Sequence, residues 1–166
     1  MSNILKRQSI RKYKNTKIEP EKVERILRAA MNAPSGHNLQ PWEFIVVDDA
    51  QMLSDISKMS PYTRMIAKAP LAIIYLSNIE RVAKEDLWWT QDLSASVENS
   101  LLQIVDEGLG GVWCGFYPHP RSEELAQYFN LPAHIKAFAV VAVGYPDQER
   151  PYIDTFDANR IHYNTY

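Results

Sequence analysis

Within EPEKVERILRAAM, Val23, Ile26, Leu27 and Ala30 fall at the i, i+3, i+4, i+7 spacing of one helix face. This predicts an amphipathic helix over Glu19–Met31, with Pro20 in its first turn and Pro34 stopping the run. EFIVV, Glu43–Val47, predicts a strand, and Gln51–Met59 a short helix with Leu53 and Ile56 on one side. The unbroken apolar run LAIIYL, Leu71–Leu76, predicts a strand covered on both faces. Val97, Leu101, Ile104 and Val105, widened by Leu93 and Leu102, predict a long helix from about Leu87 to Glu107. Gly108, Gly110 and Gly111 are expected to end it. VWCGF, Val112–Phe116, predicts a strand, Ser122 a cap for a helix ending near Phe129, and AFAVVAV, Ala137–Val143, a last buried strand. The tail, Tyr145–Tyr166, shows no period and needs a surface to lie on. The elements form an α+β (α/β mixed) fold, a small central sheet covered by helices, in one domain over residues 1–166.

Composition changes this picture little. The chain is 46% hydrophobic and 23% charged, with a formal net charge of −2, so no global field recruits nucleic acid or a membrane surface. The lone cysteine, Cys114, forbids an internal disulfide and fits a reducing compartment. With no leader pattern and no apolar run near the ~20 residues of a membrane span, the expected location is the cytoplasm. Charge is uneven, however: nine of the 18 Lys and Arg lie between Lys6 and Arg28. Such an arm suits DNA, RNA or a phosphate-bearing ligand, or is a solvated face.

Two stretches offer chemistry. In RQSIR, Arg7, Ser9 and Arg11 point to one side if the segment is extended, and two guanidinium forks with a hydroxyl suit a phosphate dianion. In APSGHNLQPWEF, Ala33–Phe44, Pro34 and Pro41 stiffen the path and Gly36 permits an unusual conformation. Asn38 and Gln40 each offer a donor and an acceptor. This is either a polar rim for a flat heterocycle or a structural loop joining helix to strand. The GLGG cluster follows a helix and precedes a strand, the reverse of a dinucleotide fingerprint, so a resident NAD-binding domain is not expected.

Taken together, RQSIRKY, the amphipathic helix, APSGHNLQPWEF, ENSLLQ running into GLGGVWCGFYP, and the closing RIHYNTY resemble the nitroreductase family of flavin enzymes over nearly the whole chain. The resemblance implies non-covalent FMN at the interface of an intertwined homodimer. It implies Arg7, Ser9 and Arg11 at the phosphate and ribityl chain, and Pro34, Ser35 and Asn38, with Gln40 nearby, reaching the flavin from the partner subunit. It further implies backbone contacts from Gly115, Phe116 and Pro118 around the ring. NADH or NADPH would be a transient reductant, and nitroaromatics, quinones or similar electron-poor small molecules the acceptors, in a ping-pong cycle. No side chain is then needed as acid, base or nucleophile. Other readings are a flavin-binding sensor or storage protein of the same fold, dehalogenation or flavin fragmentation, and a nucleic-acid-binding module using the basic arm.

One position departs from the family. Many members carry a further tail cation near the phosphate, where this chain has Thr155, before Phe156; Arg160 is the nearest replacement in the tail, or else a surface residue. The four histidines show no metal-ligand spacing and no metal is expected, and Cys114 reads as a buried thiol. Trp88 and Trp89 ahead of the long helix, and Tyr117 and His119 in YPHP, are candidates to line the cleft over the ring.

Overall fold

The computed structural model describes residues 2–82 and 88–166. Its strands are β1 (Trp42–Val47), β2 (Leu71–Asn78), β3 (Gly110–Gly115) and β4 (Ile135–Gly144). They form one sheet in the order β1-β2-β4-β3, with every neighbouring pair antiparallel. The helices are α1 (Asn3–Lys6), α2 (Pro20–Met31), α3 (Ala50–Lys58), α4 (Trp89–Asp106) and α5 (Arg121–Tyr128). On one face of the sheet Ile26 and Ala30 of α2 and Leu93, Val97, Leu101 and Ile104 of α4 pack on Ile73, Tyr75, Ala139 and Val141. On the other, Leu53 and Ile56 of α3 and Leu125 of α5 pack on Ile74, Val112, Val140 and Ala142. This two-sided cover is why LAIIYL is apolar without alternation: β2 is central and buried from Leu71 to Ser77, within an antiparallel sheet.

Several boundaries differ from the sequence reading, each for a local reason. Leu87 lies outside the described residues, and α4 is described from Trp89, with Trp88 as its cap residue. Gly108 alone of the three glycines takes the left-handed turn, at φ 71°. Gly110 and Gly111 instead open β3, where a Cβ on Gly110 would lie 2.6 Å from the Ile10 side chain. The last strand begins at Ile135, so β4 runs longer than the apolar run. Ser122 does not cap α5; the helix starts at Arg121 after Pro120, and the Ser122 hydroxyl donates to the Ala137 carbonyl. That bond fastens α5 to β4.

The sheet-facing side of α4 also carries Asp92, Ser96 and Ser100, all buried. Ser100 donates back to the Ser96 carbonyl at 3.0 Å, while the Ser96, Ser77 and Tyr75 hydroxyls are buried without a hydrogen-bond partner among the described residues. Small side chains here let the helix lie close to β2.

Helices α2 and α4 are joined at one end by ions. Arg25 donates to both carboxylate oxygens of Glu107 at 2.6 and 2.8 Å, and Gln103 adds a third bond at 2.8 Å. The Arg25 guanidinium, first, holds the Glu107 carboxyl down at about 2, from an ordinary 4.5. A carboxyl depressed by folding contributes fully above its unfolded value and loses that contribution as pH falls from 4.5 toward 2. Much of this pair is near solvent, so Glu107→Gln is expected to cost only about 1 kcal/mol at neutral pH. The cost should vanish by about pH 2, a convergence that urea unfolding of both proteins at the two pH values will show.

Candidate functional site

The basic arm is pinned along β3. Ile10 N–H donates to the Gly111 carbonyl at 2.9 Å, Ser9 bridges Gly111 in parallel, and Lys14 N–H donates to the Tyr145 carbonyl at 2.9 Å. Ile10 turns into the core and Arg7, Ser9 and Arg11 occupy the alternate positions around it; Tyr13, buried although it shares their parity, shows that this alternation ends after Arg11. Burial and pairing of the intervening residues thus set the direction of the polar ones. Asn3 donates to Asp106 at 2.8 Å, tying the start of the arm to the end of α4.

The two guanidiniums are not equivalent. Arg7 Nε lies 3.5 Å from a Glu98 carboxylate oxygen on α4, while Arg11 folds back to the Ser9 carbonyl at 3.5 Å and has no carboxylate partner among the described residues. The Ser9 hydroxyl makes no hydrogen bond among the described residues. The arm therefore offers one loosely paired cation, one unpaired cation and a free hydroxyl. Thr155 shares a cleft of about 380 Å³ with Arg7, Gln8 and Tyr152, so the tail does pass the arm at the position where a cation was sought. Arg160 is not brought there in this subunit: its Nε is 3.2 Å from Asp157 and its side chain is 83% exposed.

The loop between α2 and β1 is strained. His37, Asn38 and Gln40 hold φ of 50°, 56° and 49°. Gly36, expected to take the unusual conformation, does not; its N–H donates to Asp92 of α4 at 2.9 Å. Left-handed backbone costs a non-glycine residue roughly 1–2 kcal/mol, less for asparagine, and persists where surroundings enforce it. Here the enforcement is the Asp92 bond, the Gln40 N–H to Ser35 hydroxyl bond at 3.0 Å, and the buried Pro41 and Trp42 that follow. Pro34, Asn38 and Gln40 are exposed, and the Asn38 and Gln40 side chains have no hydrogen-bond partner among the described residues. No bond joins this loop to the arm within the subunit.

At the far end of β3, Gly115 is exposed, and a Cβ built on it meets nothing within 4 Å. Phe116 turns the other way: its ring is buried against α5, and its N–H is spent on the Phe138 carbonyl at 3.1 Å. Only its backbone remains at the rim. Tyr117 and Pro118, joined by a cis bond, are exposed, and the Tyr117 ring packs at 4.6 Å on the buried Trp89. Trp89 continues at 6.1 Å to Phe138, which lies 5.8 Å from Trp113. Trp89 therefore belongs to the core and Tyr117 to the rim, while Trp88 is exposed. From Gly111, beside the arm, to Gly115 the strand advances about 13 Å. Cations at one end of a strand and an open backbone with an aromatic at the other suit an elongated ligand with an anionic end.

Cys114 faces the opposite side of the sheet, where burial pushes its thiol up to about 11, far from thiolate chemistry. Among the described residues no group of three or more His, Cys, Asp or Glu could hold a metal, and no helix is long and apolar enough to cross a membrane.

Comparison with known proteins places this geometry. A crystal structure of a candidate NADH oxidase from Clostridium acetobutylicum superposes with a TM-score of 0.95 at 46% identity, covering 99% of this chain and 100% of that one. A candidate NADH dehydrogenase/NAD(P)H nitroreductase from Archaeoglobus fulgidus is 40% identical over 163 residues, 96% of this chain and 94% of its own. A Desulfovibrio desulfuricans nitroreductase-type structure in complex with FMN has a TM-score of 0.88 at 28% identity, covering 99% of this chain and 95% of that one. The family pattern described as Nitroreductase family matches residues 4–63 and 52–145. The chain belongs to the nitroreductase family.

Proposed function

We propose that this protein is an FMN-dependent oxidoreductase. It takes reducing equivalents from NADH or NADPH and delivers them to electron-poor small molecules such as nitroaromatics and quinones, in two half-reactions at one site of a homodimer. The observation that carries this is the placement of Arg7, Ser9 and Arg11 at one end of β3 and the open Gly115–Pro118 turn at the other. The relatives support the cofactor and the reductant: one solved neighbour holds FMN, and curated relatives are named for NAD(P)H.

The residues present fit FMN. Arg11 lacks a carboxylate and Arg7 has only a loose one, so a phosphate dianion finds charge that the fold has not spent. The bare backbone at Gly115 lets a flat ring approach closely. Ser9 donates to the phosphate or the ribityl chain. Asn38 and Gln40, held outward by a strained loop with no side-chain partner among the described residues, fit groups presented across a dimer. The exposed apolar tail residues Ile153, Phe156 and Tyr163 fit the same dimer. Bound there, FMN supplies the redox chemistry between nicotinamide and acceptor, and the chain's residues position it and exclude water.

A single shallow rim must serve both reductant and acceptor in turn. Purified protein is expected to be yellow, to release FMN on heating, and to oxidise NADH or NADPH with a quinone acceptor. Double-reciprocal plots should be parallel. Intersecting lines with a ternary complex would refute the one-site scheme, and a colourless protein that takes up no FMN would refute the whole reading.

A further inference from the structure

On the side of the sheet covered by α3 and α5, a second set of groups lies apart from those assigned to FMN. Ser60, buried at the end of the segment after α3, is a hub: its hydroxyl accepts from the Tyr62 N–H at 3.1 Å and from Arg121 Nη1. Arg121, the first residue of α5, also donates from Nε to His119 Nδ1 at 3.1 Å. Neither Glu123 nor Glu124 in the same helical turn pairs with it. The Arg121 guanidinium is thus held by two neutral acceptors and keeps its charge uncompensated. Arg64, exposed, has no partner among the described residues, and it lines a cleft of about 540 Å³ with Ser57, Lys58, Ser60 and Pro61. Lys58 is engaged with Asp55 at 3.0 Å and adds less. Tyr62, 75% exposed, follows the cleft residue Pro61 and shares with Arg121 the Ser60 hydroxyl as hydrogen-bond acceptor. The segment bordering the cleft reaches the end of β3 through Tyr62, whose carbonyl lies 3.6 Å from the sulfur of Cys114, one residue before Gly115.

An exposed tyrosine and two guanidiniums without a carboxylate partner among the described residues, gathered around the buried Ser60 hydroxyl, are complementary to an adenosine whose ribose carries a phosphate monoester. We propose that this cleft takes the 2′-phosphoadenosine end of NADPH, with Tyr62 as the adenine platform and Arg64 and Arg121 on the 2′-phosphate. NADPH is then the preferred reductant. This rests on the reading of the chain as an NAD(P)H oxidoreductase, and it assigns the dinucleotide a foothold outside the flavin rim. Planar forks of this kind discriminate a phosphate dianion from a ribose hydroxyl.

The FMN-loaded protein is titrated with adenosine 2′,5′-bisphosphate and with 5′-AMP by calorimetry, and kcat/KM is measured for NADPH and NADH. The wild type should bind the bisphosphate at least about tenfold more tightly than 5′-AMP and favour NADPH by a similar factor. Arg64→Gln removes no bond of the fold. It should lower bisphosphate affinity and NADPH kcat/KM by about tenfold while NADH kcat/KM stays within about twofold. Arg121→Gln should do the same, and Tyr62→Ala should weaken both adenosine phosphates. Equal affinity for bisphosphate and 5′-AMP in the wild type, or equal loss of NADPH and NADH turnover in Arg64→Gln, would overturn the proposal. The calorimetric arm needs no turnover, so it decides this cleft even if the redox reading fails. Turnover with both nucleotides alike and no bisphosphate preference would leave the redox reading standing and remove this one.

Discussion

Replacing both Arg7 and Arg11 with alanine is expected to weaken FMN binding by about 10²- to 10⁴-fold. Each charge-assisted hydrogen bond to a phosphate is worth roughly 1.5–3 kcal/mol, and two lost together give the upper range when no other cation compensates. Compensation within the subunit is poor, because Thr155 occupies the tail position beside Arg7 and Arg160 is committed to Asp157. The two single variants should differ: Arg11→Ala removes a cation with no carboxylate, whereas Arg7→Ala also frees Glu98 to repel the phosphate. Arg160→Ala should leave affinity within about twofold, since the charge it removes is exposed and paired. Fluorescence titration of apo-protein with FMN at matched salt measures all four. A double variant that binds FMN like the wild type would remove the arm from the site; a tenfold loss in Arg160→Ala would restore that residue as the missing tail cation.

The second large effect is complementation between subunits. If Asn38 reaches the flavin held by the other subunit's arm, Asn38→Ala and the Arg7→Ala/Arg11→Ala pair damage opposite halves of one site. Each purified variant should then hold little FMN. Mixed, unfolded and refolded together, they form heterodimers in which one site has both halves broken and the other has both intact. Flavin content should recover in the heterodimer fraction to about one per dimer, a gain of many-fold over either parent. Absence of recovery in a verified heterodimer would place arm and loop in the same subunit. The structure motivates the trans arrangement, because no bond links the loop to the arm within a subunit and the loop is anchored instead to Asp92 at the start of α4.

Much of the fold could be read from the sequence wherever burial enforces a period. The i, i+3, i+4 stripe of α2, the apolar column of α4 and the continuous core runs of β2 and β4 all follow from which residues leave water. What was not legible depends on contacts made at a distance. Gly110 is a strand residue because Ile10, a hundred residues earlier, occupies the space its Cβ would take. Ser122 looks like a cap in sequence, but the Ala137 carbonyl across the α5–β4 junction claims its hydroxyl. The same holds for the site. The residue types of RQSIR and APSGHNLQPWEF point to a phosphate and a polar rim, and the structure extends the first segment as the spacing allows. That Glu98 faces Arg7, that His37 and Gln40 rather than Gly36 carry the strained backbone, and that Phe116 points inward, could not be read from local pattern. The Ser60–Arg121 hub was missed altogether. Its members lie 61 residues apart, and the one local signal was an arginine in the first helical turn, where the dipole disfavours a cation.

The row of rings from Tyr117 through Trp89 and Phe138 to Trp113 joins the rim of the site to the interior of the sheet's helical face. It also makes the molecule its own optical probe. Indole emission depends on the polarity around the ring and is drained by a nearby absorber such as a bound flavin. Trp89 is buried yet its ring packs on Tyr117, an exposed residue of the turn proposed to border the flavin. If the flavin binds at that turn, the emission of the chain's four tryptophans should dim on loading, by the share Trp89 contributes, and redden when the core opens to water, so loading and unfolding would differ in a single unlabelled sample.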